Sequence, residues 1–212
     1  MFAGSWSRRH FIAAAIGAGY AGSAAAAGKT ILVLGDSLSA EYGLKRGTGW
    51  VALLERKLSA DKVTASIVNA SISGETTSGG RSRLPALLGK HTPGILVIEL
   101  GANDALRGLP VNMTEANLSQ MTEAGQKAGA KVLLVGIQLP PNYGSEYSSR
   151  FAAVYERVAR KYQAAVVPFM LKGVADGPDP ASLFQADRIH PKEEAQPVIL
   201  DNVWPELKKL LK

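Results

Sequence analysis

Ser37, Asp187 and His190 are the residues through which this chain can do covalent chemistry. A serine hydroxyl is a weak nucleophile until a base takes its proton and a third group holds that base in place. Ser37 stands in Gly35-Asp36-Ser37-Leu38-Ser39, straight after the apolar run Ile31-Leu32-Val33-Leu34. The base follows by elimination among three histidines. His10 belongs to an N-terminal segment that reads as an export signal. His91 lies in Gly89-Lys90-His91-Thr92-Pro93, between a helix and the foot of the third strand, on the edge opposite the Ser37 loop. His190 remains. Asp187 precedes it in Asp187-Arg188-Ile189-His190, so within one turn its carboxylate can accept from the ring Nδ1–H and leave Nε2 facing Ser37. The other uses of such a pair are a surface ion pair or two metal ligands. Zinc needs further ligands and no other histidine is available, so no metal site is expected.

Acyl transfer also needs donors for the developing oxyanion. The second strand runs into Asn69-Ala70-Ser71-Ile72-Ser73-Gly74-Glu75-Thr76, where Gly74 lets the backbone approach a ligand and point its N–H inward. The third runs into Gly101-Ala102-Asn103-Asp104, and the Asn103 amide is a neutral donor of the required kind. The Ser37 N–H is the third donor. Asp36 and Asp104 read as acceptors that brace these loops.

These side chains need a scaffold that brings three strand ends together. Strands are expected at Thr30–Leu34, Val63–Asn69, Gly94–Leu100, Lys131–Ile137 and Ala165–Val167. Helices are expected at Gly49–Ala60, Thr77–Leu88, Thr114–Ala128, Tyr147–Gln163 and Pro191–Leu211, the last with Pro191 at its first position. Continuous apolar runs such as Ile95-Leu96-Val97-Ile98 suit parallel strands covered on both faces. Strand–helix alternation then gives an α/β fold: one domain with a flavodoxin-like, doubly wound sheet of about five parallel strands. Ligands of such sheets bind at the carboxyl ends of the strands.

Residues 1–27 read as a signal, not as fold. Ser7-Arg8-Arg9-His10-Phe11-Ile12 resembles a twin-arginine export motif, a weakly apolar Ala/Gly stretch follows, and Ala24–Ala27 offers a small-residue cleavage site. The stretch is too short and too feebly apolar for a membrane anchor. The remaining domain, 28–212, is expected to be periplasmic or secreted. Loss of Arg8 and Arg9 takes the formal charge from +6 to +4. With no Lys/Arg-rich run or basic-aromatic patch, nucleic acid is not an expected partner. Cysteine is absent, which excludes disulfides, thiolate metal sites, a cysteine nucleophile and a lipid-anchored cysteine.

Four ordered blocks beyond the Gly-Asp-Ser segment resemble the SGNH hydrolase (GDSL esterase) superfamily. They are Val68–Gly74, Arg83–Leu88, Glu99-Leu100-Gly101-x-Asn103-Asp104 and Leu139-Pro140-x-Asn142-Tyr143-Gly144. They look like its bacterial multifunctional acyl-CoA thioesterase/lysophospholipase/arylesterase branch, over about residue 30 to the end. The resemblance implies Ser37 as nucleophile, Gly74 and Asn103 as oxyanion donors, and Asp187 with His190 as the rest of a triad. It also implies a mobile loop after Asn103, Ala105–Pro110, over the acyl pocket. Ala102, often glycine in that branch, and three extra residues around Lys45–Thr48 depart from its pattern. Leu106, Leu109, Leu139 and Tyr143 are candidate substrate-binding residues, with ordinary packing as their other reading. The expected activity is hydrolysis of esters, thioesters or lysophospholipids with short to medium acyl chains, without a cofactor, the partner being a small ester or lipid. Acyl-CoA is scarce outside the cytoplasm, which points to oxygen esters and lysolipids. Two other readings stand beside it: a carbohydrate acetylesterase, disfavoured by the apolar Leu109, Leu139, Pro140 and Tyr143, and a non-catalytic binding module, disfavoured by the intact Ser, Gly, Asn, Asp and His set.

Overall fold

The computed structural model describes Met1 and residues 29–212, so the expected export signal lies, Met1 apart, outside the described residues. Strands β1 (Lys29–Gly35), β2 (Ala65–Asn69), β3 (Ile95–Glu99), β4 (Lys131–Val135) and β5 (Ala165–Val167) form one sheet in the order β2-β1-β3-β4-β5, every pair parallel. This is the flavodoxin order. Ile31, Leu32, Val33 and Leu34 of β1, and Ile95 through Ile98 of β3, are wholly buried. Each such side chain contributes roughly 1.5–3 kcal/mol against exposure, which is why these runs carry no polar alternation.

Helices cover both faces. Helix α1 (Trp50–Ala60) buries Trp50, Val51, Leu54 and Leu58, a stripe at helical spacing, and packs on α7 (Gln196–Leu211). Helices α2 (Thr77–His91), α4 (Val111–Lys127) and α5 (Ser145–Tyr162) pack side by side. Two short helices, α3 (Ala102–Leu106) and α6 (Pro180–Leu183), complete the set among the described residues. Between β1 and β3 the chain reverses its direction of winding, because β1 leads to β2 on one side and β3 lies on the other. The crevice at this switch point is where the candidate site lies.

Two expectations are corrected. Pro191 does not begin the last helix. Phe184 and Pro191 form an antiparallel bridge, and Gln185 N–H donates to His190 O at 2.8 Å while Lys192 N–H donates to Leu183 O at 2.8 Å. The segment is therefore a closed turn, and the α-helix starts only at Gln196, after a 3-10 turn at Glu193–Ala195 and with Pro197 in its first turn. The stretch Ala105–Pro110 is not all loop, since Ala105 and Leu106 finish α3. Its backbone folds back on that helix, with Gly108 N–H donating to Ala105 O and Leu109 N–H to Asp104 O, both at 2.9 Å. The signal for so short a helix is too brief to separate from a turn in the sequence.

Candidate active site

The exit of β1 places Ser37 in a tight turn. Asp36 sits just before it, wholly buried, with Oδ1 accepting from Leu38 N–H at 3.0 Å. His190 arrives from the closed 184–191 turn, its Nε2 2.9 Å from Ser37 Oγ. Its Nδ1 lies 2.6 Å from Asp187 Oδ2. Asp187 Oδ1 accepts the backbone N–H of Ile189 and of His190, each at 3.0 Å. Arg188, at φ 57, supplies the left-handed step that lets the aspartate reach both its own turn and the ring. Burial alone would raise the Asp187 carboxyl. The hydrogen bonds from the His190 ring and the two N–H groups, with the nearby imidazole charge, outweigh it and hold the carboxyl down at about 2.

Asp187 therefore stays ionised, fixes the proton of His190 on Nδ1, and leaves Nε2 to accept from Ser37. Both oxygens of Asp187 are already used.

The exit of β2 carries Gly74 at φ 79, a conformation that favours glycine; a Cβ there would meet only the Arg107 guanidinium, at 4.0 Å. Arg107 Nη2 donates to Gly74 O at 2.9 Å, which ties the exit of β2 to the segment after α3. No acceptor among the described residues takes the N–H of Ser37 or of Gly74. Asn103, in the first turn of α3, donates from Nδ2 to Asp36 Oδ2 and to Glu75 O, both at 3.0 Å. The three donors expected at the strand ends thus meet in one crevice. Both Asn103 amide hydrogens are engaged, so an oxyanion there must displace an acceptor. The neutral Glu75 carbonyl is the weaker of the two and the one to give way.

Beneath the site lies a buried acid pair. Glu99 Oε2 accepts from Ser39 Oγ at 2.7 Å and from Asp36 N–H at 3.3 Å, and Ser39 Oγ accepts from Trp50 Nε1 at 3.2 Å. Burial, then the Asp36 charge, pushes the Glu99 carboxyl well above the ordinary range. Burial likewise pushes Asp36 up to about 6, against the hydrogen bonds of Leu38 and Asn103 and the charge of His190. One proton between two neighbouring carboxylates settles on Glu99, which has no cationic partner. Asp104 braces the third loop as expected, accepting from the N–H and hydroxyl of Thr77 and from the Thr114 hydroxyl.

The expected substrate residues divide. Leu106 is 41% exposed at the end of α3, beside Asn103. Leu109 is half-buried, its carbonyl accepting from Tyr147 Oη at 2.9 Å. Leu139 is half-buried and packs on the core, and Tyr143 is half-buried in a 3-10 turn, Pro141–Tyr143. Among the described residues neither makes a hydrogen bond or ring contact with the triad. The reading of the residues missed three neighbours of the site. The Tyr42 ring leans over His190, tilted by 39°, with ring centroids 4.3 Å apart. Ile72 and Ile189 present 51% and 46% of their surface to solvent beside Gly74 and His190. The signal for Tyr42 was weak: a single aromatic in Glu41-Tyr42-Gly43.

The parallel sheet, with a serine at the exit of β1 and an Asp-His turn before α7, defines a serine-hydrolase class of α/β protein. Within it, residues 33–196 match the GDSL-like Lipase/Acylhydrolase family, and the chain belongs to that family. It is 51% identical over 186 residues to the Esterase TesA of Pseudomonas aeruginosa, covering 88% of this chain and 91% of that one. It is 43% identical over 189 residues to an Arylesterase of Vibrio mimicus, covering 89% and 93%. It is 42% identical over 187 residues to the Thioesterase 1/protease 1/lysophospholipase L1 of Escherichia coli K12, covering 88% and 87%. Among solved structures, TesA superposes with a TM-score of 0.83 at 50% identity, over 86% of this chain and 99% of that one. The esterase EstA of Pseudoalteromonas sp., inhibited by monoethylphosphonate, superposes at 0.80 with 42% identity, over 86% and 98%.

Proposed function

We propose that this protein is a serine esterase and thioesterase that works through an acyl-enzyme on Ser37. Ser37 Oγ attacks the acyl carbonyl carbon as its proton passes to His190 Nε2. The tetrahedral oxyanion is held by the N–H groups of Ser37 and Gly74 and by the Asn103 amide. As the intermediate collapses, the bond to the leaving group breaks and His190 returns the proton to the departing atom. Water, activated by the same imidazole, then releases the acid. Asp187 stays ionised throughout and holds the ring. The observation that carries this reading is the 2.9 Å Ser37–His190 contact continued by the 2.6 Å His190–Asp187 contact.

The esterase, arylesterase and thioesterase/lysophospholipase names of the relatives support carboxylic esters, thioesters and lysophospholipids as substrates. The exposed Leu106, with Leu109 beside it, supports an apolar acyl group next to Asn103, and Leu139 and Tyr143 are assigned to the outer part of that pocket. The carbohydrate-esterase reading is not favoured. The acetyl-xylooligosaccharide esterase Axe2 shares 20% identity, a likeness of fold alone. Export by the twin-arginine route rests on Arg8-Arg9. No helix among the described residues is long and apolar enough to cross a membrane. A hydrolysis panel of p-nitrophenyl esters from acetyl to palmitoyl, with a lysophospholipid and an acyl-CoA, tests the reading. Turnover that Ser37→Ala abolishes is expected; no turnover on any of them contradicts it.

A further inference from the structure

The large apolar side chains that stand exposed on this protein are gathered in one place. Met1 apart, those among the described residues are four: Tyr42 at 50%, Ile72 at 51%, Leu106 at 41% and Ile189 at 46%. They come from four segments: the exits of β1 and β2, the end of α3 after β3, and the 184–191 turn. All lie at the carboxyl edge of the sheet, close to the crevice. Tyr42 covers His190, and Ile189 precedes it. Ile72 stands two residues before Gly74, and Leu106 three after Asn103.

Hydrogen bonds tie the four segments into one frame. Ile72 N–H donates to Gly35 O at 3.0 Å, just before Asp36 and Ser37. Arg107, next to Leu106, donates to Gly74 O at 2.9 Å and so joins the exit of β2 to the end of α3. Tyr42 O accepts from Gln185 Nε2 at 2.9 Å, and Gln185 N–H donates to His190 O at 2.8 Å. That pair joins the exit of β1 to the turn that carries Ile189. An apolar rim thus runs round the mouth of the site. Single exposed apolar side chains are ordinary, whereas a cluster of them marks a surface that meets a partner.

Charge decides what kind of partner fits. Arg107 and Arg188 stand exposed among these residues, and neither has a carboxylate at ion-pair distance among the described residues. The carboxylates beside them are spent. Glu41 takes the N–H of Gly47 at 3.0 Å and of Gly49 at 2.8 Å, Glu75 pairs with Arg83 at 2.7 Å, and Asp187 holds His190. A second copy docked face to face would set these arginines against their own counterparts. It would also close the mouth, as would any folded protein seated on the rim. An anionic lipid surface does neither. Its phosphates meet the guanidinium groups, its acyl region takes up the isoleucines, and an ester reaches the mouth from the same side.

We infer that the rim of Tyr42, Ile72, Leu106 and Ile189, with Arg107 and Arg188, docks this protein on an anionic lipid surface with the crevice facing the lipid. The orientation of the crevice as a working site rests on the serine-esterase reading above. The docking adds where the protein stands, not which ester it cleaves.

Cosedimentation of the full chain with vesicles of phosphatidylglycerol or of phosphatidylcholine tests the docking. Binding should favour phosphatidylglycerol and weaken with added salt. Ile72→Ser with Ile189→Ser, and Arg107→Gln with Arg188→Gln, should each lower the partition coefficient by roughly 10-fold or more. The isoleucine pair should keep wild-type turnover of p-nitrophenyl acetate in solution, which shows that it is folded. The chain has no cysteine, so a single dye can be placed at will. A polarity-sensitive dye on Ser73→Cys, at the rim, should shift to the blue when the vesicles are added. The same dye on Lys90→Cys, in the last turn of α2 at the opposite edge, should not. Equal binding to the two lipids, equal binding by wild type and the isoleucine pair, or a shift at Lys90→Cys without one at Ser73→Cys would overturn the docking. A wild type that is dimeric where the isoleucine pair is monomeric would overturn it too, since a second copy would then cover the rim. Failure of the wild type to turn over the soluble ester or to react with a fluorophosphonate would instead remove the serine-esterase reading alone.

Discussion

Asn103 Nδ2 lies 3.0 Å from Asp36 Oδ2, so the residue before Ser37 holds the amide that we propose as an oxyanion donor. The carboxylate of the Gly-Asp-Ser segment joins the ends of β1 and β3 and decides which way the Asn103 amide faces. Asn103→Ala should lower kcat by about 10²–10³-fold with KM little changed, as for other single oxyanion donors. Asp36→Asn removes the charge that orients the amide and should lower kcat by about 10-fold. Steady-state kinetics on one p-nitrophenyl ester check both. A rise in KM alone would make Asn103 a substrate-binding residue.

On the proposed reading Ser37, His190 and Asp187 act as one unit, so their losses should not add. Ser37→Ala and His190→Ala should each lower kcat by roughly 10³-fold or more, and the double variant should lose little further. Additive losses would mean two separate functions.

The polar atoms of Asp187 and His190 are spent on each other, on the turn and on Ser37. Activity should accordingly survive dialysis against EDTA. Loss on dialysis with recovery on adding zinc would contradict the assignment.

Glu99 gives a pH signature in stability. Its carboxyl is raised by burial, so the folded state binds the proton more tightly than the unfolded chain does. Its contribution is full below its ordinary value of 4.5 and is lost as pH rises through the higher folded value. The melting temperature of the wild type should therefore fall as pH rises above the ordinary carboxyl range, and Glu99→Gln, which keeps the acceptor for Ser39 and Asp36, should flatten that fall. Parallel curves for the two proteins would show that Glu99 does not hold the proton. Asp187 has the opposite sign: its stabilisation is present above about 3.8 and is lost as pH falls through about 2.

Leu109 should set chain-length preference. Closing its side chain over an acyl chain buries methylenes at about 0.8 kcal/mol each. Three or four such contacts favour a longer chain by about 2–3 kcal/mol, or roughly 30- to 150-fold in kcat/KM. Leu109→Ser should reduce octanoyl ester turnover well below wild type and barely touch acetyl esters. Equal loss on both would place Leu109 in support of the site as a whole.

The sheet was legible because β1 and β3 are buried on both faces and so show unbroken apolar runs. Ser37 and Asn103 were legible because they stand within a few residues of the ends of those runs, whereas Gly74 lies beyond the only partly buried β2 and was marked by its glycine alone. What escaped was whatever depends on contacts between distant segments. Pro191 looks like a helix start until its bridge to Phe184 is known. Tyr42 looks like any loop aromatic until Gln185, far along the chain, takes its carbonyl. The raised carboxyl of Glu99 comes from its burial and then from the Asp36 charge at the end of the neighbouring strand, and no spacing in the sequence encodes that approach.

The central claim, that Ser37 is the nucleophile and His190 its base, is tested most directly by locating a covalent adduct. Incubation of the full-length protein with a fluorophosphonate, followed by peptide mass spectrometry, should give one adduct, on the peptide containing Ser37. His190→Ala should slow its formation by roughly the factor lost in kcat. An adduct on another residue, or an unlabelled Ser37 in a protein still turning over esters, would contradict the account.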